Sequence, residues 1–448
     1  MAEIQSHYDK MTKTPLVKLI VSLGIPTTIS MLVTNIYNMV DTYFVGTLGE
    51  SPQAATGILF TLQAIIQAIA FMLGQGSGTM VSKALADRNE KEASEYVSTG
   101  FFTALGLGLV LMIGGLLFLT PFMRVLGSTE TILPYAKQYG ACVLISCPLM
   151  LGSFVLNNNL RYEGKSIYAM IGLVTGGILN IFGDYLLVVV IPLGILGAGI
   201  STAVSQCISF AILLFFFEKM AQSKIRTANI SKNSMIYKTI ARVGFPALIR
   251  QGLSSISNGL LNNLTRPFGD AAIAAMSVVH RFSAFVMCVG LGIGQGYQPV
   301  ASFNYQAKEY KRVKKGLLVT MGIGFCMISC LAIPGIIFAE QIVYMFQKSE
   351  AVAEIGVFAL RCSCFGTIFL ALSVPVNMLY QSIRNAKISS ILSLMRSGLM
   401  FIPTLLITTS LWGIKGIQIS QPVADVLTGF VSIPFIVTFL RKKHEGEE

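Results

Sequence analysis

Long apolar stretches, separated by short polar turns, recur along the whole chain. Each spans about 20 residues or more, which is enough for an α-helix to cross the roughly 30 Å hydrocarbon core of a bilayer. The pattern predicts an all-α membrane protein with twelve transmembrane helices. Their approximate positions are 19–43, 55–82, 97–120, 133–158, 167–191, 195–217, 239–264, 271–300, 316–339, 354–381, 388–410 and 416–440.

The second half of the chain repeats motifs of the first half at a spacing of about 220 residues. Gly24-Ile25-Pro26 returns as Gly244-Phe245-Pro246, and Gly74-Gln75-Gly76 returns as Gly294-Gln295-Gly296. A single fused duplication explains both pairs. Repeated membrane bundles that face one another are a common way for transporters to build a central site that opens alternately to either side.

The duplication predicts two six-helix lobes. We expect the first lobe at 1–217, a cytoplasmic linker at 218–238, and the second lobe with a short cytoplasmic tail at 239–448. Because six is even, both copies enter the membrane in the same direction. The lobes should therefore be related by a pseudo-twofold axis along the membrane normal, on either side of a central cleft.

Charge is scarce and unevenly distributed. Only 12% of residues are charged and 53% are hydrophobic, whereas about a quarter of a soluble domain is charged. The net charge of +12 could suggest nucleic acid, but 24 of the 33 Lys and Arg residues fall at the termini and turns of one predicted side. The positive-inside rule then predicts a multi-pass protein of the cell (inner) membrane, with both termini cytoplasmic and no nucleic-acid partner. We expect a monomer.

Several kinds of chemistry lack their sequence signatures. The chain has no phosphate-binding loop of the Gly-x-x-x-x-Gly-Lys-Ser/Thr type, so ATP is not expected as the direct energy source. Its three histidines make a histidine-based metal centre improbable. No constellation of nucleophile and base is evident, so we expect neither an enzyme nor a cofactor, and no metal other than Na⁺.

Two acids stand out because an ionised side chain in hydrocarbon costs on the order of 3 kcal/mol. Asp41, Asp184 and Thr202 each lie ~12 Å below an outer turn, and Asn180 shares a helix face with Asp184. These four residues predict an acidic pocket in the first lobe that binds H⁺ or Na⁺ through oxygen atoms. The alternative is that the two acids only cap polar contacts between helices.

The second lobe carries a different set of charges. Arg250, Arg281 and Asp425 each fall ~13 to 17 Å from a membrane face, and His280 precedes Arg281. One interpretation is a structural ion pair of Asp425 with Arg250 or Arg281. The other is an electropositive wall that contacts the substrate.

The order of the motifs resembles the multidrug and toxic compound extrusion (MATE) family, most of all its DinF-like and MepA-like bacterial branches. The resemblance rests on the Gly-Ile-Pro opening, the Asn-x-x-Asp-x-x-Phe-Val-Gly pattern that begins at Asn38, the Gly-Gln-Gly motif and Arg161-x-x-Gly-Lys. It covers essentially the whole chain. In those branches the positions of Asp41, Asn180, Asp184 and Thr202 form the cation site, which is what the resemblance implies here.

The predicted function is therefore secondary active efflux. An amphipathic organic compound would leave the cell in exchange for H⁺ or Na⁺ by alternating access. The alternative is a flippase of the related superfamily for lipid-linked or anionic amphiphiles, which would need a cationic cleft for pyrophosphate. The acidic pocket favours efflux. The arginines leave the flippase as an open alternative.

Overall fold

The computed structural model describes residues 2–346 and 349–442. Residues 1, 347–348 and 443–448, which include the end of the predicted cytoplasmic tail, lie outside the described residues. The described residues form α-helices and short 3₁₀ or π-helical segments. The α-helices are α1 Ala2–Lys13, α2 Leu16–Gly46, α3 Glu50–Ala86, α4 Glu90–Leu117, α5 Leu119–Val125, α6 Leu133–Tyr162, α7 Ser166–Asp184, α8 Ile195–Met220, α9 Ser234–Thr265, α10 Asp270–Gln306, α11 Tyr310–Ile337, α12 Ala339–Phe346, α13 Glu350–Thr367, α14 Leu370–Ser382, α15 Ala386–Leu394, α16 Phe401–Trp412 and α17 Ile414–Arg441.

Most of the predicted spans correspond to helices that could cross a membrane. In the described part of the chain, ten helices are long and apolar enough, and α13 with α14 forms an eleventh span that bends by 46°. The one remaining predicted span, 239–264, lies in α9, a helix of 32 residues. This helix is long enough, but Arg242, Arg250 and several amides make it less apolar than the others.

The chain divides into two compact units. The first contains Ile29–Gln251 and the start of α1, and the second contains Asp9–Thr28 together with the chain from Gly252 onward. The division between the units thus lies within α2 and α9, the first long helix of each repeat. It does not coincide with the predicted lobe boundaries at the ends of 218–238. Pro26 and Pro246 lie a few residues before these divisions, where each removes a backbone hydrogen bond from its helix.

The geometry of the turns repeats together with the sequence. Gly49 and Gly269, which occupy matching positions in the two copies, both begin a helix with positive φ, at 123° and 88°. Gly194 and Gly413 form a second matching pair, with φ of 64° and 55°. Such φ values favour glycine, because a Cβ atom would be strained there. The duplication is therefore visible in backbone conformation as well as in residue identity.

The Gly-Gln-Gly motifs permit close contact between backbones. In the first unit, a Cβ atom on Gly76 of α3 would overlap the carbonyl of Ile240 on α9. In the second unit, a Cβ atom on Gly296 of α10 would overlap the backbone of Gly24 on α2. Each copy therefore uses a glycine in the same motif to pack one long helix directly against another.

A side chain added at this contact should destabilise the protein. We expect Gly76→Ala to lower the free energy of unfolding by about 1–3 kcal/mol through overpacking. Gly57→Ala, in the same helix with no neighbouring atom within 4 Å, is the matched control and should be neutral or mildly stabilising. Thermal unfolding in detergent compares them. Equal midpoints would contradict the contact.

A buried glutamate binds the segment that joins the two repeats. Glu163, in the turn after α6, is fully buried, and its Oε2 accepts a hydrogen bond from the backbone N–H of Gln222 at 2.6 Å. Its Oε1 accepts from the backbone N–H of Ser223 at 3.3 Å and from the Ser223 hydroxyl. Burial raises the pKa of Glu163 to about 7, although these hydrogen bonds and the charge of Lys165 act to lower the pKa.

This raised pKa predicts a pH-dependent stability. Between pH about 4.5 and 7 the folded protein binds more protons at Glu163 than the unfolded chain does, so the contribution of Glu163 to stability falls as pH rises through that window. The loss is on the order of 3 kcal/mol. The change in unfolding midpoint between pH 5 and pH 8 should be smaller for Glu163→Gln than for wild type. Glu218→Gln should show the wild-type change, and identical changes for all three proteins would refute the assignment.

Candidate functional site

Three helices of the first unit carry the residues predicted to bind a cation. Asp41 lies in the last third of α2, Thr202 lies two turns into α8, and Asn180 and Asp184 lie in the last turns of α7. Directly after Asp184 the chain continues as a π-helical segment, Tyr185–Val190. Such segments are rare and often occur at functional sites.

A tyrosine joins two of these side chains. The hydroxyl of Tyr139, on α6, donates to Oδ2 of Asp41 at 2.8 Å and lies 3.3 Å from Oγ1 of Thr202. Asn180 completes the link, because its Nδ2 donates to Oγ1 of Thr202 at 3.2 Å. Four helices therefore supply polar groups to one pocket.

The carboxylates of this pocket are buried and incompletely hydrogen-bonded. Asp41 is 4% exposed and Asp184 is fully buried, and the two side chains are close enough to interact. Among the described residues, Oδ1 of Asp41, both Oδ atoms of Asp184 and Oδ1 of Asn180 form no hydrogen bond of normal geometry, although Asp184 lies close to Ser201 and Asp41. Within the described residues, neither carboxylate forms an ion pair. Buried polar atoms without partners are uncommon and call for an explanation such as a proton or an ion.

The structure brings together the four residues predicted for this site: Asp41, Asn180, Asp184 and Thr202. Sequence reasoning missed Tyr139. Its depth could have identified Tyr139 as a member of the pocket, because it lies about 9 Å from the start of α6, close to the level of the two acids. No group of three or more His, Cys, Asp or Glu side chains that could hold a metal ion occurs in the described part of the chain.

The second unit holds an ion pair with a partner that the sequence did not predict. Asp425 on α17 accepts a hydrogen bond from Nε of Arg396 at 2.9 Å, and Nε2 of Gln421 donates to the same oxygen at 2.9 Å. Arg396 lies in the second π-helical segment, Met395–Met400. The predicted pairing of Asp425 with Arg250 or Arg281 is therefore wrong. A π-helical turn changes which face a side chain occupies, so the α-helical period could not assign Arg396.

Among the described residues, the other members of the predicted charge cluster form no ion pair with Asp425. His280 lies on α10 close enough to Arg281 and Arg396 to interact electrostatically, and Arg281 is exposed. Arg250 belongs to the first unit, where its Nη2 donates to Oε1 of Gln75 at 3.2 Å. The charge cluster predicted for one lobe is thus divided between the two units.

Two arginines of the first unit lie close to each other. Arg161 is 2% exposed and donates from Nη2 to Oδ1 of Asn158 at 2.7 Å. Arg161 and Arg250 are close enough to interact electrostatically, with Tyr162 beside both. The first unit therefore contains a cationic region as well as the acidic pocket.

The family of the chain follows from a match that repeats the internal duplication. The MatE family model matches residues 26–186 and again residues 246–406, two blocks of equal length that correspond to the two copies. The chain belongs to the MATE family. The resemblance in the motifs is confirmed, and with it the prediction that the protein is a transporter and not an enzyme.

Relatives of this MATE protein share its full length at low identity. "Multidrug export protein MepA" of Staphylococcus aureus (strain MRSA252) is 24% identical over 99% of this chain and 98% of its own. The protein of the same name from Staphylococcus saprophyticus is also 24% identical, with the same coverage.

Solved structures of similar proteins share the fold. A MATE protein in complex with MaL6 superimposes with a TM-score of 0.91 at 23% identity, covering 97% of this chain and 99% of its own. An outward-facing multidrug resistance MATE transporter of the MOP superfamily also gives 0.91, at 23% identity and 96% and 98% coverage. A MOP superfamily transporter from Pyrococcus furiosus, described as having a binding pocket of reverse polarity, gives 0.90 at 23% identity, with 97% and 99% coverage. The predicted all-α, multi-pass membrane fold is confirmed.

The ion pair of this MATE protein should contribute to stability. Asp425→Asn leaves Arg396 without its counter-ion, and breaking a buried pair costs about 3–5 kcal/mol, whereas removing both charges costs much less. We expect Asp425→Asn to lower the unfolding midpoint in detergent, and Arg396→Gln added to it to restore part of the loss. Arg281→Gln is the control and should change little. A double variant less stable than the sum of its single variants would contradict this pairing.

Proposed function

We propose that this MATE transporter is a secondary antiporter that exports amphipathic organic compounds in exchange for H⁺ or Na⁺. One observation carries the proposal: two carboxylates share a buried pocket, and three of their four oxygens have no hydrogen-bond partner among the residues that the structure describes. Two buried negative charges without counter-ions are costly. Binding a proton or a Na⁺ ion at Asp41, Asn180, Asp184 and Thr202 removes that cost.

Coupling requires only differential binding. An ion or substrate that binds two conformers equally shifts nothing, whereas one that binds them unequally shifts their populations. The four residues of the proposed cation site lie on three helices, one of which, α2, also contributes to the second unit. Ion binding at Asp41 is thereby positioned to act on a helix that extends beyond the site. The names of the multidrug export relatives support organic compounds as substrates.

The arrangement in the membrane is part of the proposal. The concentration of Lys and Arg on one side supports cytoplasmic termini and a cytoplasmic linker. We also propose that 1–217 and 239–448 act as the two lobes, joined by 218–238, and that the monomer suffices because one chain supplies all four residues of the cation site.

Transport by purified protein in proteoliposomes tests the proposal. Wild type should move a fluorescent amphiphilic cation when either a pH gradient or a Na⁺ gradient is imposed, and the effective gradient identifies the coupling ion. Asp41→Asn and Asp184→Asn keep size but remove the titrating charge, so each should reduce transport to the level of protein-free liposomes. Their effects should be non-additive, because the two carboxylates share one site.

Two further variants sharpen this experiment. If Na⁺ is the coupling ion, Thr202→Val should raise the Na⁺ concentration needed for half-maximal transport, and it should matter less for H⁺. Glu354→Gln, which alters an exposed acid on α13, is the control and should transport like wild type. Wild-type rates from Asp41→Asn would rule out the proposed coupling site.

A second function has one observation in its favour. The buried Arg161 and the nearby Arg250 suit an anionic group better than a cation. They support the alternative of a flippase for lipid-linked or anionic amphiphiles. Transport of an anionic dye that is lost in Arg250→Gln, with no response to H⁺ or Na⁺ gradients, would favour this alternative over antiport.

A further inference from the structure

A cavity in the second unit lies at the starts of two long helices, close to the points where the sequence predicts that they enter the membrane. It has a volume of about 400 Å³ and is lined by Pro15, Leu16, Val17, Lys311, Arg312, Lys315 and Val319. One wall is the start of α2, which begins at Leu16, and the other is the start of α11, which begins at Tyr310. Three of the seven lining residues are cationic and none is acidic.

The side chains that line the α11 wall of this cavity change from cationic to apolar with depth. Lys311, Lys315 and Val319 follow one another at four-residue intervals, so they lie on one face of α11. At 1.5 Å per residue, Val319 lies about 12 Å deeper than Lys311. On the facing wall, Val17 is 55% exposed and presents apolar surface to the surroundings. The wall formed by α11 is therefore cationic near the start of the helix and apolar deeper, and the wall formed by the start of α2 is apolar.

The arginine of the cavity is fixed in place by the chain that connects α1 to α2. Nη2 of Arg312 donates to the carbonyl of Thr14 at 2.8 Å and to that of Met11 at 3.3 Å. Its Nε donates to Oδ1 of Asn304 at 3.2 Å. Arg312 therefore links the two walls, and the side chains of Lys311 and Lys315 are exposed.

We propose that this cavity binds the headgroup phosphate of an anionic phospholipid. Its position close to the predicted membrane entry of two helices matches the depth of a headgroup, and its gradient from cationic to apolar matches the order of phosphate and acyl chain in a lipid. The bound lipid would link the α1–α2 connection to α11. This assignment is independent of what the protein transports.

Lipid titrations of the full chain in zwitterionic detergent test the site. Dioleoyl phosphatidylglycerol should raise the thermal unfolding midpoint, and dioleoyl phosphatidylcholine should not. Lys311→Gln/Lys315→Gln should need about 30-fold more phosphatidylglycerol for the same shift, from the usual contribution of two lysines near an anionic lipid. Lys311→Arg/Lys315→Arg should respond like wild type. Lys232→Gln/Lys238→Gln removes two exposed charges elsewhere on the chain and should also respond like wild type.

Several outcomes would overturn the proposal. An equal shift with phosphatidylcholine would show that headgroup charge is irrelevant, and an equal shift with glycerol 3-phosphate would show a site for free phosphate. An equal loss in the Lys232→Gln/Lys238→Gln control would show non-specific charge attraction. Native mass spectrometry of wild type from mixed micelles should retain phosphatidylglycerol in preference to phosphatidylcholine, and equal retention would contradict the site even if the glutamine variant fails to fold.

Discussion

The hydrocarbon core of a bilayer offers polar groups no water, and this constraint accounts for most of what the chain does. Backbone groups must bond within each segment, which is why the crossings are helices. Side-chain charges must face other protein groups or be neutralised. Asp425 meets this demand through Arg396. Asp41 and Asp184 meet it only in part among the described residues, which is why we propose that their pocket takes up a proton or a small cation.

Duplication explains the scaffold, and divergence explains the chemistry. The glycine contacts between long helices and the positive-φ turns occur at matching positions in both copies. In the part of the chain that the structure describes, the buried acids differ between the copies: Asp41 and Asp184 of the first unit form no ion pair, and Asp425 of the second unit pairs with Arg396. Backbone contacts tolerate little change because a single added methyl group meets another backbone, whereas a polar pocket can change residue by residue.

The connections between helices also carry specific interactions. Glu163 binds the linker that joins the two repeats, and Arg312 binds the connection between α1 and α2. In both cases a charged side chain satisfies backbone groups of a segment that lies outside a long helix. These contacts limit how freely the connections can move, and in the first case burial brings the pKa of the contacting carboxyl close to neutrality.

The sequence by itself determined the helices, their duplication, the family and the members of the acidic pocket. Helical rise and period are set locally, so the depth of Asp41, Asp184 and Thr202 and the shared face of Asn180 and Asp184 follow from spacing alone. Only the tertiary structure decided which faces meet. It joined Tyr139 to Asp41, paired Asp425 with Arg396 through a π-helical turn, and assigned Arg250 to the first unit because α9 contributes to both units. Spacing fixes positions along one helix, but contacts between helices depend on how their side chains pack together.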